Sequence, residues 1–480
     1  MELLFIFLPL LIAVLVGLLS RQRLLIEITS GVAIGLAFIA TILIAQNVAA
    51  FDSYSPWPIF SVDALGAIVM LIIACVGLMA SIYSIPYLRQ ESAKGIIGFT
   101  RVRQYFNLLN LFLAVMFFAV TASNPVMTWI AIELTTLSTA FLISFYNKAS
   151  SIEGAWKYLI INSVGLLLAF FGTLLYLTSL GINSDSTFAT WSALLTNAHN
   201  LDPLIAKLAF IFVFIGYGVK VGLAPMHTWL PDAHSKSPAP ISALLSGVLL
   251  NVAFFTVLKF KIITDVSVGG TFSSTILISF GLLSIFIAAM IILVQKSYKR
   301  LLAYSSIENM GIMSLGFGFG GFGGFGAILH MLYHSFIKSA LFLLSGNFLL
   351  KYSSAKIKNV RGALLVMPLA SVLFLVGIFA IAGVPPFGIF LTKLFIISAG
   401  MSTYPIVSIV AVILFSVAFV GLFKHAGAMI FGEPSAEMKK EKENIWLILP
   451  SLVLLLTIFF LSFQLPNFLS VLINEAVKGY

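Results

Sequence analysis

Apolar runs long enough to cross a lipid bilayer recur along almost the whole chain, and this feature constrains the fold more than any other. A helix needs about 20 consecutive apolar residues to span the hydrocarbon of a bilayer. Charged residues make up 9% of the 480 residues, whereas soluble domains carry about 25%. The sequence therefore predicts an all-α polytopic membrane protein in which residues 1–480 form a single integral membrane domain.

About fourteen transmembrane helices fit the apolar runs. We place them approximately at 3–20, 24–49, 64–85, 105–123, 125–146, 155–180, 203–224, 238–260, 272–294, 301–319, 324–350, 363–399, 402–430 and 445–472. The seventh and the twelfth are expected to be broken, because glycine and proline interrupt the chain there. The first run is long enough to remain as a helix, so no cleavable signal peptide is expected.

Lysine and arginine are distributed unequally between the connections on the two sides of these helices. One side holds 20 of the 27 basic residues, and the other holds only Lys259, Lys261 and Lys478. Basic residues favour cytoplasmic loops, so this alternation supports fourteen spans and predicts that both termini lie outside the cytoplasm. The net charge of +10 reflects these short loops and does not indicate nucleic-acid binding. Four lysines remain inside the apolar runs: Lys207, Lys220, Lys338 and Lys393.

Cysteine usage limits the redox chemistry of the chain. The only cysteine, Cys75, lies within an apolar run, so no internal disulfide is possible. Iron–sulfur and nickel centres are normally held by several thiolates, and no nucleotide-binding fingerprint is present. We therefore predict no cofactor and no metal site in this chain, and any redox centre must belong to another subunit.

Two buried charges of opposite sign characterise the first half of the chain. Lys220 lies in FIFVFIGYGVKVGLAPMHTW and Glu133 in NPVMTWIAIELTTLSTAFLI. A lysine at membrane depth costs about 2.5–3.5 kcal/mol on insertion scales, so it is a functional candidate by default. Burial disfavours the charged lysine and a nearby carboxylate favours it, so movement of Glu133 would switch the proton affinity of Lys220. The alternative is an ion pair that only fixes helix packing.

The second half repeats a lysine beside a helix break. Lys393 follows Pro385 and Pro386 in GVPPFGIFLTK, and a break at those prolines frees carbonyl groups that can hold water. Interrupted helices in corresponding halves of a membrane protein point to an ion pathway. We therefore predict that Lys393 is a second titrating lysine, toward the outer side of the membrane.

One predicted helix carries three titratable residues on a single face. His330, His334 and Lys338 are spaced i, i+4 and i+8, and histidine relays protons well because it titrates near neutrality. A zinc site is the rival interpretation of the two histidines. It is disfavoured because the chain has no HExxH motif, no cysteine cluster and no third-ligand pattern.

Three other charged or titratable residues permit two interpretations each. Glu308, in KRLLAYSSIENMG, is either a relay acid or the partner of a lysine or arginine near the cytoplasmic end of its helix. Asp232 and His234 lie in a cytoplasmic connection, where they either feed protons inward or belong to a solvated loop. Lys207 is expected to snorkel toward the interface. The glycine-rich run 316–326 is expected to form a tight outer turn with close helix packing.

At these motifs the chain resembles the antiporter-like membrane subunits shared by respiratory complex I, Mrp-type sodium/proton antiporters and membrane-bound hydrogenases. The similarity is most specific in segments 220–247, 297–311 and 383–393. It implies two inverted five-helix repeats, helices 4–8 (105–260) and helices 9–13 (271–430). It also implies that Glu133 and Lys220 form the family's glutamate–lysine pair, that Lys393 is the terminal lysine, and that the helix of His330 carries the connecting relay.

Within that family the chain looks most like the F-type subunit of hydrogenase-4 and formate hydrogenlyase complexes. Complex I subunits of the M type carry a lysine on helix 8 where this chain has Asn251. Asparagine cannot titrate, so a relay there would need water or Ser246. The M type also has a glutamate where this chain has Lys393. The long lateral helix of the L-type subunit is absent from the sequence, which argues against that type.

The resemblance implies a proton-translocating subunit of a hydrogenase-type or complex-I-like respiratory complex in a bacterial or archaeal cell membrane. Other membrane and peripheral subunits would be its partners, together with membrane lipid. The partner subunits would carry the iron–sulfur, nickel–iron or flavin centres. This chain would then be a subunit of an oxidoreductase but would hold no redox centre itself. Three alternatives remain: an Mrp-like sodium/proton antiporter subunit, a complex I subunit of the M or N type, and a structural membrane anchor.

Overall fold

A computed structural model describes residues 2–180, 189–434, 438, 440 and 442–480, and these residues are almost entirely helical. Lys439, one of the 20 basic residues predicted to lie in the loops on one side of the membrane, lies outside the described residues. The α-helices of the described residues are α1 (Leu4–Leu19), α2 (Arg23–Phe51), α3 (Ala64–Ala93), α4 (Phe99–Thr121), α5 (Pro125–Ile143), α6 (Ala149–Ser179), α7 (Trp191–Thr196), α8 (Pro203–Val221), α9 (Trp229–Lys236), α10 (Ala239–Leu244), α11 (Leu250–Val268), α12 (Gly270–Ile292), α13 (Tyr298–Phe319), α14 (Phe322–Tyr352), α15 (Ala363–Val366), α16 (Pro368–Ala382), α17 (Gly388–Thr403), α18 (Pro405–Ile430), α19 (Ile445–Leu461) and α20 (Asn467–Val477).

The all-α membrane fold is confirmed, and the chain is a multi-span membrane protein. Among the described residues, 10 helical segments are long and apolar enough to cross a membrane. Five further apolar helices, including α1, α16 and α17, have fewer than 18 residues. The count of fourteen spans therefore stays a prediction.

The two predicted helix breaks are confirmed. α8 ends at Val221 and Gly222 takes φ 80°, before α9 resumes at Trp229. α16 ends at Ala382 and Gly383 takes φ 87°, before α17 begins at Gly388. Glycine ends both half-helices because it enters the left-handed region without a Cβ clash. The predicted seventh helix ended at residue 224, and the structure adds α9 as its second half.

Two predicted boundaries were wrong. Lys259 and Lys261 were placed in an outer connection, but α11 continues to Val268, and Lys261 pairs one helical turn later with Asp265. Lys259 pairs with Asp63 at the start of α3. The predicted helix 445–472 is two helices, α19 and α20, separated by a short turn that contains Pro466.

The core of the molecule contains α14 and the continuous helix formed by α10, a π-helical turn at Leu245–Leu249, and α11. The most apolar stretch of each of these two helices is completely buried. α14 packs against α13 on one side and α17 on another. α13 and α14 are joined by the two-residue turn Gly320–Gly321, which agrees with the tight turn expected from the sequence. The face of α14 that carries its titratable residues therefore lies deep inside the protein.

Candidate functional site

The Lys220 ammonium group lies in a pocket of hydroxyl groups. Lys220 is in the last turn of α8 and is fully buried. Its Nζ donates hydrogen bonds to Thr136 Oγ1 at 2.8 Å and to the Tyr158 hydroxyl at 2.7 Å. The same nitrogen lies 4.9 Å from the centroid of the Tyr158 ring, a cation–π distance. The helix C-terminus adds a favourable dipole for a positive charge.

Glu133 approaches Lys220 through a bridging hydroxyl group. Glu133 lies on α5 and is half-buried. Ser163 donates to its Oε1 at 2.7 Å, and Thr136 Oγ1 lies 3.5 Å from its Oε2. No ion pair joins Glu133 directly to Lys220, both of which the structure describes. Thr136 therefore contacts both predicted partners, and the glutamate–lysine pair of the sequence prediction is arranged as a triad.

A second charged cluster lies at the break between α16 and α17. Lys393 Nζ lies 3.8 Å from Glu308 Oε1, and both residues are buried. The ammonium group also donates to the carbonyl oxygen of Ala382, the last residue of α16, at 3.1 Å. It lies 4.8 Å from the centroid of the Phe415 ring. One sequence interpretation paired Glu308 with a basic residue near the cytoplasmic end of its helix, and the structure instead pairs it with Lys393.

His330 connects this cluster to α14. Its Nδ1 hydrogen-bonds to Thr392 Oγ1 at 2.8 Å, and its Nε2 hydrogen-bonds to Asn309 Oδ1 at 2.9 Å. Thr392 precedes Lys393 and Asn309 follows Glu308, so each member of the ion pair has a chain neighbour bonded to the histidine. The structure therefore brings three separately predicted site residues into one polar cluster.

The other two titratable residues of α14 extend the polar line away from the break. Lys338 Nζ donates to Ser305 Oγ at 2.7 Å and to the carbonyl oxygen of Leu302. His334 lies one turn from both His330 and Lys338 and is fully buried. Neither of its ring nitrogens has a hydrogen-bond partner among the described residues. A buried polar atom without a protein partner is a position where ordered water is expected.

Asn251, which replaces a family lysine, is buried beside this line. Its Nδ2 donates to Ser335 Oγ at 2.7 Å, whereas its Oδ1 has no partner among the described residues. Ser246, the other candidate, hydrogen-bonds to Ser306 at 2.7 Å. Both groups can orient water next to α14 but cannot change charge.

The solvated-loop interpretation is wrong for His234, which is buried, whereas Asp232 is partly exposed and lies on a helix instead of a loop. Both lie on α9, and His234 is fully buried with no partner for either ring nitrogen among the described residues. Its ring stacks on Phe342 with a centroid distance of 4.6 Å. Asp232 pairs with Arg300 and lies 3.6 Å from Lys157. A short helix packs the segment against the core because His234 and its neighbour Ala233 face inward.

The sequence did not identify the neutral residues that hold the charged ones. They are Thr136, Tyr158, Ser163, Asn309 and Thr392. Hydroxyl and amide residues inside apolar runs were the available signal, since ELTTLST and SSIEN carry several of them. No cluster of three or more histidine, cysteine, aspartate or glutamate residues that could hold a metal occurs in the part of the chain that the structure describes.

Comparison with known proteins gives consistent matches over most of the chain. The family model described as NADH:quinone oxidoreductase/Mrp antiporter, TM, matches residues 122–419. A second model, NADH-Ubiquinone oxidoreductase (complex I), chain 5 N-terminus, matches residues 54–95. The hydrogenase-4 component F homolog of Methylacidiphilum infernorum is 36% identical over 397 residues, which cover 81% of this chain and 82% of the relative. Hydrogenase-4 component B of Escherichia coli is 28% identical over 69% of this chain, which spans 49% of that relative.

Solved structures share the fold. A chain of the membrane-bound sulfane sulfur reductase, an archaeal respiratory membrane complex, superposes with a TM-score of 0.88 at 20% identity, covering 100% of this chain and 97% of the other. A chain of the Mrp complex from Dietzia sp. gives a TM-score of 0.87 at 19% identity with the same coverage. The expectation of an antiporter-like membrane subunit is confirmed, and the chain belongs to the NADH:quinone oxidoreductase/Mrp antiporter transmembrane family.

Proposed function

We propose that this chain translocates protons as an antiporter-like subunit of a hydrogenase-type or complex-I-like respiratory complex. One observation carries the proposal: titratable side chains line the protein interior and include a lysine at each of the two helix breaks. Intramembrane charges of this kind normally mark ion or proton pathways. The similarity to a hydrogenase-4 component F homolog supports the hydrogenase-type complex.

The first element of the proposed pathway is the Glu133–Thr136–Lys220 triad. The carboxylate acts on the ammonium group across one threonine hydroxyl, so a small displacement of α5 relative to α8 changes their attraction strongly in a medium of low dielectric. Approach of Glu133 favours the charged lysine, and retreat favours release of its proton. The triad is thereby a switch whose setting depends on helix position.

The second element is the polar line on α14, with the Glu308–Lys393 pair at its end. We propose that protons pass between Lys338, His334 and His330, with water held at the unpartnered nitrogens of His334. Histidine can accept a proton at one ring nitrogen and release it at the other. Lys393 then serves as the terminal proton store, and Glu308 sets its affinity in the way that Glu133 sets that of Lys220.

The repeats 105–260 and 271–430 remain part of this proposal. Each range contains one broken helix and one lysine whose ammonium group lies near the C-terminal end of a half-helix, Lys220 on α8 and Lys393 against Ala382 of α16. Half-helix termini commonly hold ions in transporters built from inverted repeats. The matching placement supports two functional halves.

The redox chemistry belongs to partners in this proposal. We infer that iron–sulfur and nickel–iron or flavin centres lie on other membrane and peripheral subunits, and that lipid surrounds the exposed apolar faces. Sodium coupling, as in an Mrp-like antiporter, would use the same residues, and its signature is sodium-dependent proton release from vesicles. The structural-anchor alternative is disfavoured because Lys220, Lys338 and Lys393 are buried in the core.

Replacing Glu133 with glutamine tests the switch. We expect proton translocation by the purified complex in proteoliposomes to fall by about tenfold or more, since a positioned proton-transfer group is worth roughly 10²–10⁴-fold. Assembly should persist because glutamine can still accept from Ser163. Translocation at the normal proton-to-electron ratio in Glu133→Gln would contradict the switch.

The two adjacent threonines of α5 provide a matched pair of variants for the same assay. Thr136 contacts Lys220, whereas Thr135 donates only to the backbone oxygen of Ile132, at 2.6 Å. Thr136→Val should weaken the coupling of Glu133 to Lys220 and slow translocation, and Thr135→Val should not. Equal behaviour of the two variants would show that the bridging hydroxyl is not used.

Membrane orientation gives a separate test. The unequal distribution of loop lysine and arginine places both termini outside the cytoplasm. A reporter that is active only in the cytoplasm should stay inactive when fused after Tyr480 and become active when inserted after Arg361. A cytoplasmic signal at the C-terminus would remove one of the fourteen predicted spans.

A further inference from the structure

A buried glutamate at the end of the molecule that carries the basic loops is not used by the pathway described above. Glu91 lies in the last turn of α3 and is only 3% exposed. The Tyr146 hydroxyl donates to its Oε1 at 2.6 Å, and the Tyr87 hydroxyl lies 3.0 Å from that of Tyr146. Glu91 Oε2 is buried without a partner among the described residues. A buried carboxylate oxygen without a donor is costly unless it carries a proton or meets water.

Lys299 supplies the opposite charge. It lies in the first turn of α13, is 1% exposed, and donates from Nζ to the carbonyl oxygen of Ser237 at 2.9 Å. The Lys299 ammonium group attracts the Glu91 carboxylate from beyond contact distance, since these two described residues do not form an ion pair. Lys94 is the other basic residue that acts on the Glu91 carboxylate. Glu91, Tyr146 and Lys299 are called the basic-end cluster below.

The basic-end cluster lies next to an open cavity. This cavity of about 590 Å³ is lined by residues that include Gln90, Lys94 and Asn347. Gln90 directly precedes Glu91 in the chain, and Asn347 accepts from the Tyr83 hydroxyl at 2.8 Å. The Tyr83 ring stacks on Tyr87 with a centroid distance of 5.5 Å. A chain of contacts from Asn347 through Tyr83, Tyr87 and Tyr146 therefore links the cavity lining to the carboxylate.

His234 connects the basic-end cluster to the polar line on α14, which consists of Lys338, His334 and His330. Lys299 donates to Ser237, three residues after His234 on the same segment. Lys299 and Lys338 both act on His234 as positive charges, so their repulsion favours the neutral imidazole and onward transfer of any proton that it accepts. His234 and Lys338 both contact the ring of Phe342. His234 stacks on the ring, and Lys338 Nζ lies 5.3 Å from its centroid. Both His234 nitrogens lack partners among the described residues, so the nitrogen that carries no hydrogen is free to accept a proton.

We propose that Glu91 is the proton-loading site at the basic end of this subunit, with Lys299 as its charge partner and His234 as the acceptor that delivers to Lys338. Glu91 Oε2 takes up one proton from a hydronium ion in the water-filled cavity, which returns to water, and Glu91 becomes a neutral carboxyl group. The proton then passes to the lone pair of a His234 nitrogen, the ring becomes imidazolium, and Glu91 returns to carboxylate. The imidazolium next gives a proton to the neutral amine of Lys338, which becomes ammonium, and His234 returns to its neutral form. The inference rests on the proposed proton translocation and names where its protons enter.

A second buried glutamate at the same end provides the control. Glu27 on α2 is 2% exposed but is held by Arg23 and Arg89 in ion pairs, so both of its oxygens have cationic partners. In the assembled complex in proteoliposomes, Glu91→Gln should slow proton uptake driven by an imposed potassium diffusion potential by about tenfold or more, a modest share of what a positioned proton-transfer group contributes. Glu27→Gln should retain the rate of the unmodified complex.

Infrared difference spectroscopy on a pH change gives a readout that needs no translocation. The unmodified complex should show a protonated-carboxyl band that is lost in Glu91→Gln and kept in Glu27→Gln. Should Glu91→Gln not assemble, Glu91→Asp retains a carboxyl group, and a shifted band supports the assignment whereas an unshifted band overturns it. Absence of uptake by the unmodified complex would count against the proposed function. Unchanged uptake or an unchanged band in Glu91→Gln would overturn the loading site alone.

Discussion

Replacing Lys393 with methionine is expected to stop proton translocation almost completely. The change removes the terminal store, so vesicle acidification or alkalinisation should fall by about 100-fold or more, in line with loss of an essential proton-transfer group. It also leaves Glu308 buried without its cation, a situation that costs roughly 3–5 kcal/mol unless the carboxylate takes up a proton. Some loss of assembled complex is therefore expected, and Lys393→Met combined with Glu308→Gln should restore assembly without restoring translocation.

Arginine and glutamate at the same position separate a relay from a packing role. Lys393→Arg preserves the positive charge beside Glu308, yet arginine does not release its proton, so we expect assembly without translocation. Lys393→Glu keeps a titratable group, but it meets Glu308, and two close carboxylates cannot both ionise. Adding Glu308→Gln removes that repulsion, so the double variant should translocate faster than Lys393→Glu alone.

Lys207 is the control for these variants. It is an exposed lysine on α8 that lies 5.7 Å from the centroid of the Phe272 ring. Lys207→Met should leave translocation unchanged when assayed beside the Lys393 variants in the same proteoliposomes. A fully active Lys393→Arg complex would show that Lys393 packs and pairs without transferring protons.

Lys220→Met should abolish translocation with less effect on assembly than Lys393→Met. The methionine side chain has a similar length, and the hydroxyl groups around Lys220 keep other partners, since Tyr158 hydrogen-bonds to Thr139 at 2.5 Å. Glu133 is half-buried and still accepts from Ser163. We expect translocation to fall by about 100-fold or more at a nearly normal yield of complex.

The comparison of yield and rate in the two methionine variants tests the difference between the clusters. Complex yield is measured by co-purification of partner subunits, and rate is measured with a pH-sensitive dye inside the vesicles. The Lys220→Met complex should have a low translocation rate and a high yield. The Lys393→Met complex should have a low rate and a low yield, and adding Glu308→Gln should restore only the yield. Normal translocation by Lys220→Met would remove the first cluster from the pathway.

The sequence singled out the charged residues of the candidate site because their signal is local. A lysine such as Lys220 or Lys393 inside an apolar run is recognisable without knowledge of its neighbours, and the glycines and prolines at both breaks stand beside it. The pairing of Glu308 with Lys393 was not predictable, because it depends on how α13 packs against α17. Which of Thr135 and Thr136 faces Lys220 also depends on the rotation of α5, which a weakly amphipathic sequence does not specify.

The wrong boundaries have equally physical causes. Hydropathy drops at Lys259, but α11 continues because Lys261 and Asp265 neutralise each other one turn apart. His234 stands in a polar, proline-containing segment that is typical of loops, and only packing against Phe342 makes it part of the core. Gln464, Pro466 and Asn467 did mark the turn between α19 and α20, but the predicted helix was drawn through them because the residues on both sides are apolar.

The hydrogen bond from Lys393 to Ala382 makes the contact across the proline break depend on the charge of the lysine. The last carbonyl groups of a helix have no intrahelical donor, and at α16 the lysine of the next half-helix supplies one. Loss of the Lys393 proton weakens this hydrogen bond, since a neutral amine is a poorer donor than an ammonium group. In the proposed cycle, release of the Lys393 proton would therefore loosen the contact between α16 and α17, the two halves of the broken helix.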